Sequence, residues 1–337
     1  MGQLALFRGM KTDGRTKPVN VASVPQRSPF RYPGGKTWLV PLFRRWMWGH
    51  DPAPRVLVEP FAGGGIISLT AAFEKLADSV VMVERDDNVA AVWESILGGD
   101  AAWLASRILS FNLTRESVKD ESASAPASRR ELAFLTLLRN RTAHGGILAE
   151  GAGVLKHGEN GKGILSRWYP QTIARRISGI GYVADRIRFI HGDAFAVMTE
   201  FRDTDRAAFF IDPPYTAGGK RAGSQLYTHS EVDHDRLFTL CESVRGDFLM
   251  TYDNAEEVRT LAVRHGFETC PVAMNNTHHA EMTELLIGRD LRWTEERFIV
   301  HEGPAPYGVA TRRRHKPRAS ARLTSGRRIE GQAGGVC

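Results

Sequence analysis

The sequence predicts an α/β fold: a mainly parallel sheet with helices on both faces. Three observations predict it. Short apolar runs recur at 56–59, 80–84, 187–190, 207–211 and 248–252, each bounded by Gly, Pro or polar residues. Such runs are strand-length, too short for helices. Segments with helical spacing, at 66–76, 88–97, 233–244 and 255–265, fall between several of them. Strands joined through helices run parallel, and the crossovers bury both faces of the sheet. A last pair of apolar runs, 269–273 and 284–287, could close the sheet as a hairpin.

The stretch 100–181 breaks this rhythm. It offers helical segments at 101–109, 130–140 and 172–180 around a Gly-rich, basic loop at 144–167. We read it as an inserted, smaller, mainly helical domain. The layout expected is therefore a mobile arm over 1–27, a sheet domain over 28–99 and 182–300, the insertion over 100–181, and a basic, disordered tail over 301–337. The tail holds Arg312, Arg313, Arg314, Lys316, Arg318, Arg322, Arg327 and Arg328. It could hold phosphates loosely or serve only solubility.

Composition narrows the function class. The chain has 337 residues, a formal charge of +7 and a pI of about 9.5. This balance favours a polyanionic partner without naming one. No apolar run approaches the roughly 18–20 residues of a membrane helix, and residues 1–27 lack the apolar stretch of a signal peptide. Three cysteines, Cys241, Cys270 and Cys337, show neither disulfide nor metal spacing. The expectation is a cytoplasmic protein with reduced thiols and no metal. His278 and His279 are adjacent rather than spaced for one helix face, and we read them as surface residues or contacts to the polyanionic partner.

Two features point to a nucleoside-type cofactor. Glu59-Pro60-Phe61-Ala62-Gly63-Gly64-Gly65 follows a strand and opens a helix. Glycine there lets a ligand approach the backbone, and a helix start offers free N–H groups. Glu84 ends the next strand, about 20 residues on, where such folds place a carboxylate for ribose hydroxyls. Tyr32-Pro33-Gly34-Gly35-Lys36-Thr37 imitates the end of a phosphate-binding loop, but Phe30 stands where that motif needs glycine. An ATPase is not expected.

The most informative tetrapeptide is Asp212-Pro213-Pro214-Tyr215, at the end of the run 207–211. Ligands of open α/β sheets bind at the carboxyl ends of strands. Two prolines stiffen the backbone and leave carbonyls as acceptors. A carboxylate plus a carbonyl can accept both hydrogens of one amino group, and an aromatic ring can stack on a base for about 1–3 kcal/mol. Asp193, ending the preceding run, could accept from a second amino group or cap a helix.

In their order, these motifs resemble the Dam-type (D12, alpha-class) DNA adenine N6-methyltransferases. The likeness runs from about Ser28 to Arg289. It rests on Tyr32-Pro33-Gly34-Gly35-Lys36, Pro60–Gly65, Asp212–Tyr215, Asp233-His234 with Leu237, Tyr252-Asp253-Asn254 and Glu284-Leu285-Leu286-Ile287. The resemblance implies a Rossmann-like sheet binding S-adenosylmethionine across its switch point. It implies that Tyr32, Lys36, Phe61, Gly63 and Gly65 line the cofactor's methionine side, that Glu84 takes the ribose, and that Asp193 takes the cofactor adenine. Asp212 would face both the cofactor and the target base, with Pro213, Pro214 and Tyr215 completing the catalytic motif. The insertion would be the target recognition domain.

That implication extends to mechanism and partners. Adenine would be flipped from double-stranded DNA, stacked on Tyr215, and held by Asp212 and the Pro213 carbonyl for direct in-line transfer. Arg139, Arg141, Lys156, Lys162 and Arg167 would meet phosphates or guanine edges. A cognate restriction endonuclease is an optional partner of such an enzyme. This chain carries Arg139-Asn140-Arg141-Thr142-Ala143-His144-Gly145-Gly146 where GATC-specific members carry a different loop, so a GATC target is not expected. Three alternatives share the fold. They are N4-cytosine methylation, methylation of RNA or protein glutamine, and a non-catalytic DNA-binding protein. Asp at the first position of the tetrapeptide, where those other enzymes more often carry Ser or Asn, favours adenine.

Overall fold

A computed structural model describes residues 24–31, 35–143, 155, 158, 161–214, 232–275 and 281–294. In chain order its strands are β1 (Val56–Glu59), β2 (Ser79–Glu84), β3 (Ile187–His191), β4 (Ala207–Ile211), β5 (Asp247–Asp253), β6 (Glu268–Asn275) and β7 (Glu281–Gly288). They form one seven-stranded sheet in the order β3-β2-β1-β4-β5-β7-β6. The first five are parallel neighbours, and β7 runs antiparallel to both β5 and β6. The fold is the expected Rossmann-like, mostly parallel sheet, with a terminal hairpin in place of a sixth parallel strand.

The helices are α1 (Val40–Trp48), α2 (Ile66–Glu74), α3 (Asp87–Ser95), α4 (Ala101–Ser110), α5 (Arg115–Ala123), α6 (Arg129–Thr142), α7 (Pro170–Gly181), α8 (Ala194–Phe201), α9 (His234–Ser243) and α10 (Glu256–Arg264). Strand alternation sorts the side chains between them. Leu57, Val80, Met82, Ala208, Phe210 and Leu249 face one layer, shared with α1 to α7. Val56, Val58, Val81, Val83, Phe209 and Ile211 face the other, covered by α8, α9 and α10. Burial on both faces explains why these strands read as continuous apolar runs.

Short polar side chains start several of the helices. Asp86 accepts from the Asn88 and Val89 amides at the start of α3, Ser128 from the Glu131 amide at α6, and Asp233 from the Arg236 amide at α9. Helices α1, α5 and α8 lie where no helix is read from the sequence. Only Val118 of α5 is buried, so its pattern carries little periodicity, and a Thr114–Ser117 capping box holds its start.

The insertion is packed into the larger layer. Leu104, Ile108, Phe134, Leu137, Ile173 and Ile177 share one hydrophobic cluster with Trp93, Ile67 and Phe43. Helix α6 lies along α3 and α7 along α4. The boundary expected at Gly99/Asp100 falls within a continuous helical run, where a π-helical turn (Ile96–Asp100) links α3 to α4 and Gly99 takes φ 108° at the kink. None of the described helices is long and apolar enough to cross a membrane.

Candidate active site

The strand order reverses direction between β1 and β4, and the crevice outside their carboxyl ends is the place where such sheets bind ligands. The chain puts a row of carboxylates along this edge. Glu59 ends β1, Glu84 ends β2, Asp212 follows β4 and Asp253 ends β5. Glu284 joins the row because β7 is antiparallel and pairs Glu284 with Asp253.

The glycine loop is braced from three sides. Gly63 N–H donates to Glu84 Oε2 at 3.0 Å. Trp93 Nε1 donates to the Gly63 carbonyl at 2.9 Å. Gly65 is the N-cap of α2 with φ 65°. A Cβ at Gly65 would lie 2.7 Å from Met82 Cε and 2.8 Å from Trp93 Cζ2, so both the backbone and the space require glycine. Because Gly65 brings no capping side chain, Glu59 does that work. Its Oε2 accepts from Ser68 N–H, in the first turn of α2, at 2.9 Å. Burial pushes the Glu59 carboxyl up to about 8, with Asp212 and Glu84 adding repulsion.

Glu84 also accepts from the Arg85 and Asp86 amides, both at 2.8 Å. Burial still drives it up to about 7 against those bonds. A carboxylate offers roughly four acceptor sites, and these three backbone donors leave room for a ligand hydroxyl. The loop's backbone, the start of α2 and the acceptor at Glu84 therefore fit a nucleoside cofactor by the chemistry of their donors and acceptors.

Asp212 sits in a built polar cluster. Thr251 Oγ1 donates to its Oδ1 at 2.7 Å, and Lys36 Nζ lies 3.0 Å from the same oxygen. Lys36 Nζ also lies 3.4 Å from Glu284 Oε2. Lys36 and Glu284 are buried, at 4% and 7% exposure. Asp212 keeps more of its side chain open, at 22%. Pro213 is buried and Pro214 half-buried. Behind this edge, Tyr252 is buried and its hydroxyl lies 3.0 Å from His234 Nδ1. Burial raises the tyrosine's pKa well above its ordinary value. The matched motifs at Asp233-His234, Leu237 and Tyr252 thus join α9 to β5 behind Asp212.

The expected site residues divide. Lys36, Phe61, Gly63, Gly65, Glu84 and Asp212 gather at the carboxyl edge, while Tyr32 and Tyr215 lie outside the described residues. Lys36 is expected on the cofactor's methionine side; its ammonium instead pairs with Asp212 and Glu284. Asp193 is exposed and caps α8, its Oδ1 accepting from Ala196 N–H at 3.0 Å. Of the basic residues, Lys156 lies outside the described residues, Arg139 and Lys162 are exposed, and Arg167 is half-buried.

Arg141 requires correction. It is 5% exposed and donates to the Pro29 carbonyl, so its guanidinium faces the protein and not a DNA phosphate. Burial, with Arg176 and Arg31 nearby, pulls its pKa down. Asn140 beside it bonds both the N–H and the carbonyl of Arg31, at 2.8 and 2.9 Å, and Arg176 donates to the Ser28 carbonyl at 2.9 Å. Three residues of α6 and α7 therefore hold the segment that leads into residues 32–36. Glu59, Thr251 and Glu284 are the further polar residues at the edge. A carboxylate closing β1 just before the Pro-Phe-Ala-Gly turn is the sequence signal that singles out Glu59. Thr251 carries none.

No family model matches the chain, and no curated protein matches it. Among solved structures, a Pyrococcus horikoshii protein provisionally named an RNA methyltransferase is 15% identical, with 77% of this chain and 84% of that chain covered and a TM-score of 0.34. A methyltransferase from Geobacter sulfurreducens is 16% identical over 74% of this chain and 76% of its own, with a TM-score of 0.32. A precorrin-6y C5,15-methyltransferase from Geobacter metallireducens is 10% identical over 73% and 85%, with a TM-score of 0.31. At these values no residue-by-residue correspondence follows, and the fold stands on its own strand order.

Proposed function

We propose that the protein is an S-adenosylmethionine-dependent methyltransferase acting on the N6 amino group of adenine in double-stranded DNA. One observation carries the reading. Asp212, the first residue of Asp-Pro-Pro-Tyr, is held by Thr251 and Lys36 at the switch point of the sheet. The Glu84-braced glycine loop closes the neighbouring strands β1 and β2. A carboxylate able to accept from an amine and a loop able to admit a nucleoside thus belong to one sheet edge.

The Gly63–Gly65 backbone, Phe61 and Glu84 would hold the cofactor. When bound, S-adenosylmethionine supplies a sulfonium-linked methyl group. Asp212 and the Pro213 carbonyl accept the two amino hydrogens of a flipped adenine and orient its nitrogen. Flipping costs a few kcal/mol, which stacking on Tyr215 helps to offset. Orientation of this kind supplies much of the rate. The insertion serves target recognition, with Arg139, Lys162 and Arg167 toward DNA.

The test uses the full chain, labelled cofactor and duplex DNA. Asp212→Ala should cut methyl transfer by about 100-fold or more through lost orientation, while cofactor affinity persists. Digestion of the product should release N6-methyladenine; N4-methylcytosine there would transfer the same geometry to the other base. Absence of any affinity for S-adenosylmethionine would end the reading.

A further inference from the structure

The Asp212 cluster contains more charge than the orientation of one amine requires. Lys36, on the 3-10 turn Lys36–Leu39, is a single cation between two carboxylates. Asp212 comes from the end of β4 and Glu284 from β7, with β5 between them. Thr251 of β5 bonds Asp212, and Asp253 of β5 is the register partner of Glu284. On its other side Glu284 pairs in register with Val272 of β6, which is apolar.

We propose that Glu284 is a positioning residue for the reaction: by sharing the Lys36 ammonium, it keeps Asp212 from being fully neutralised and so preserves its strength as an acceptor for the substrate amine. The inference rests on the methyltransferase reading above. Where a buried and a half-buried carboxylate compete for one buried cation, the effective dielectric is below that of water and each partner's charge changes what the other can do. With Glu284 neutral, the Lys36 charge falls on Asp212 and weakens its hydrogen bond to an amine, because charge-assisted bonds depend on the net charge of the acceptor.

Among the described residues, the charged groups that act on Glu284 are Lys36, Asp212 and Asp253. Burial pushes its carboxyl up to about 7, with Lys36 pulling the other way. Glu284 is therefore charged above about pH 7 and neutral below it, and turnover should rise with pH through that point. Glu84 is also pushed up to about 7, but it belongs to the cofactor loop and acts through cofactor affinity. Saturating cofactor separates the two, and Glu59, raised to about 8 beside Asp212, is present in both wild type and Glu284→Gln, so comparing the two profiles removes its contribution.

The deciding experiment measures kcat from about pH 6 to 9, with cofactor and DNA saturating, for the wild type and for Glu284→Gln. Calorimetric cofactor affinity and a thermal melt accompany each protein. The wild type should rise about tenfold through pH 7, and the Gln variant should lack that rise and be about tenfold slower at pH 8.5, a difference worth about 1.4 kcal/mol. Its cofactor affinity should stay within about twofold. A purely structural Glu284 would lower the melting temperature and leave the shape of the profile alone; a wild-type rise retained in the Gln variant therefore overturns the proposal. Should that variant fail to fold, a wild-type kcat that is flat over this range overturns it equally. A wild-type protein that binds the cofactor but methylates no DNA overturns the underlying reading, and this inference with it.

Discussion

At the carboxyl edge of the sheet, the carboxylates of Glu59 and Glu284 are buried; in the inserted helices, Arg141 is buried and Arg176 half-buried, and both turn to the protein's own backbone. Glu59, Glu84 and Glu284 are all raised in pKa by burial. Glu59 and Glu84 accept from backbone amides, and Glu284 pairs with the Lys36 ammonium. Arg141 and Arg176, by contrast, donate to the carbonyls of Pro29 and Ser28. The contrast teaches that charge in a sequence does not declare its direction. An arginine in a segment expected to recognise DNA can be a strut, and a glutamate expected to meet a ribose can first brace a loop.

The comparison can be broken at three points. The largest effect should come from Gly65→Ala on the sheet edge. The substitution adds a Cβ at φ 65° against Met82 and Trp93, combining backbone strain of about 1–3 kcal/mol with overpacking of similar size. Urea unfolding should show a loss of several kcal/mol, with cofactor affinity falling in parallel; an unchanged midpoint would contradict the bracing described for this loop.

A second test lies within the insertion. Arg141→Ala removes a buried charged donor and should cost about 1.5–3 kcal/mol. Arg139→Ala, at an exposed position, should stay within about 0.5 kcal/mol and instead weaken DNA binding in a salt-dependent way. Equal stability losses would erase the distinction between a buried strut and an exposed residue.

The smallest effect concerns Glu59. Its raised pKa means that the folded state keeps a proton that the unfolded chain releases near 4.5. Stability from this group is present in acid and is lost as pH rises toward about 8. Glu59→Gln cannot ionise, so its melting temperature relative to wild type should climb by a few degrees between about pH 4.5 and 8 and level off above that. A difference independent of pH would mean that Glu59 ionises without penalty.

Much of the architecture was legible in the chain because it follows from local repetition. β1, β2 and β4 are apolar runs buried on both faces, and Asp86 caps the helix that follows β2. The glycine loop and Asp212 could be placed at strand ends from sequence alone, since each directly follows an apolar run. Helix α5 could not, having one buried residue and little periodicity.

What the tertiary structure alone decided is which charges meet. Lys36, Asp212, Thr251 and Glu284 lie on four separate elements, joined only when the strand order reverses and β7 turns back along β5. The inward turn of Arg141 likewise depends on where α6 packs beside residues 28–31. Periodicity and capping act over a few residues and are written in the chain. Burial and ion pairing act across the distances that folding closes, and there the same side chain can serve a ligand, a partner or the backbone.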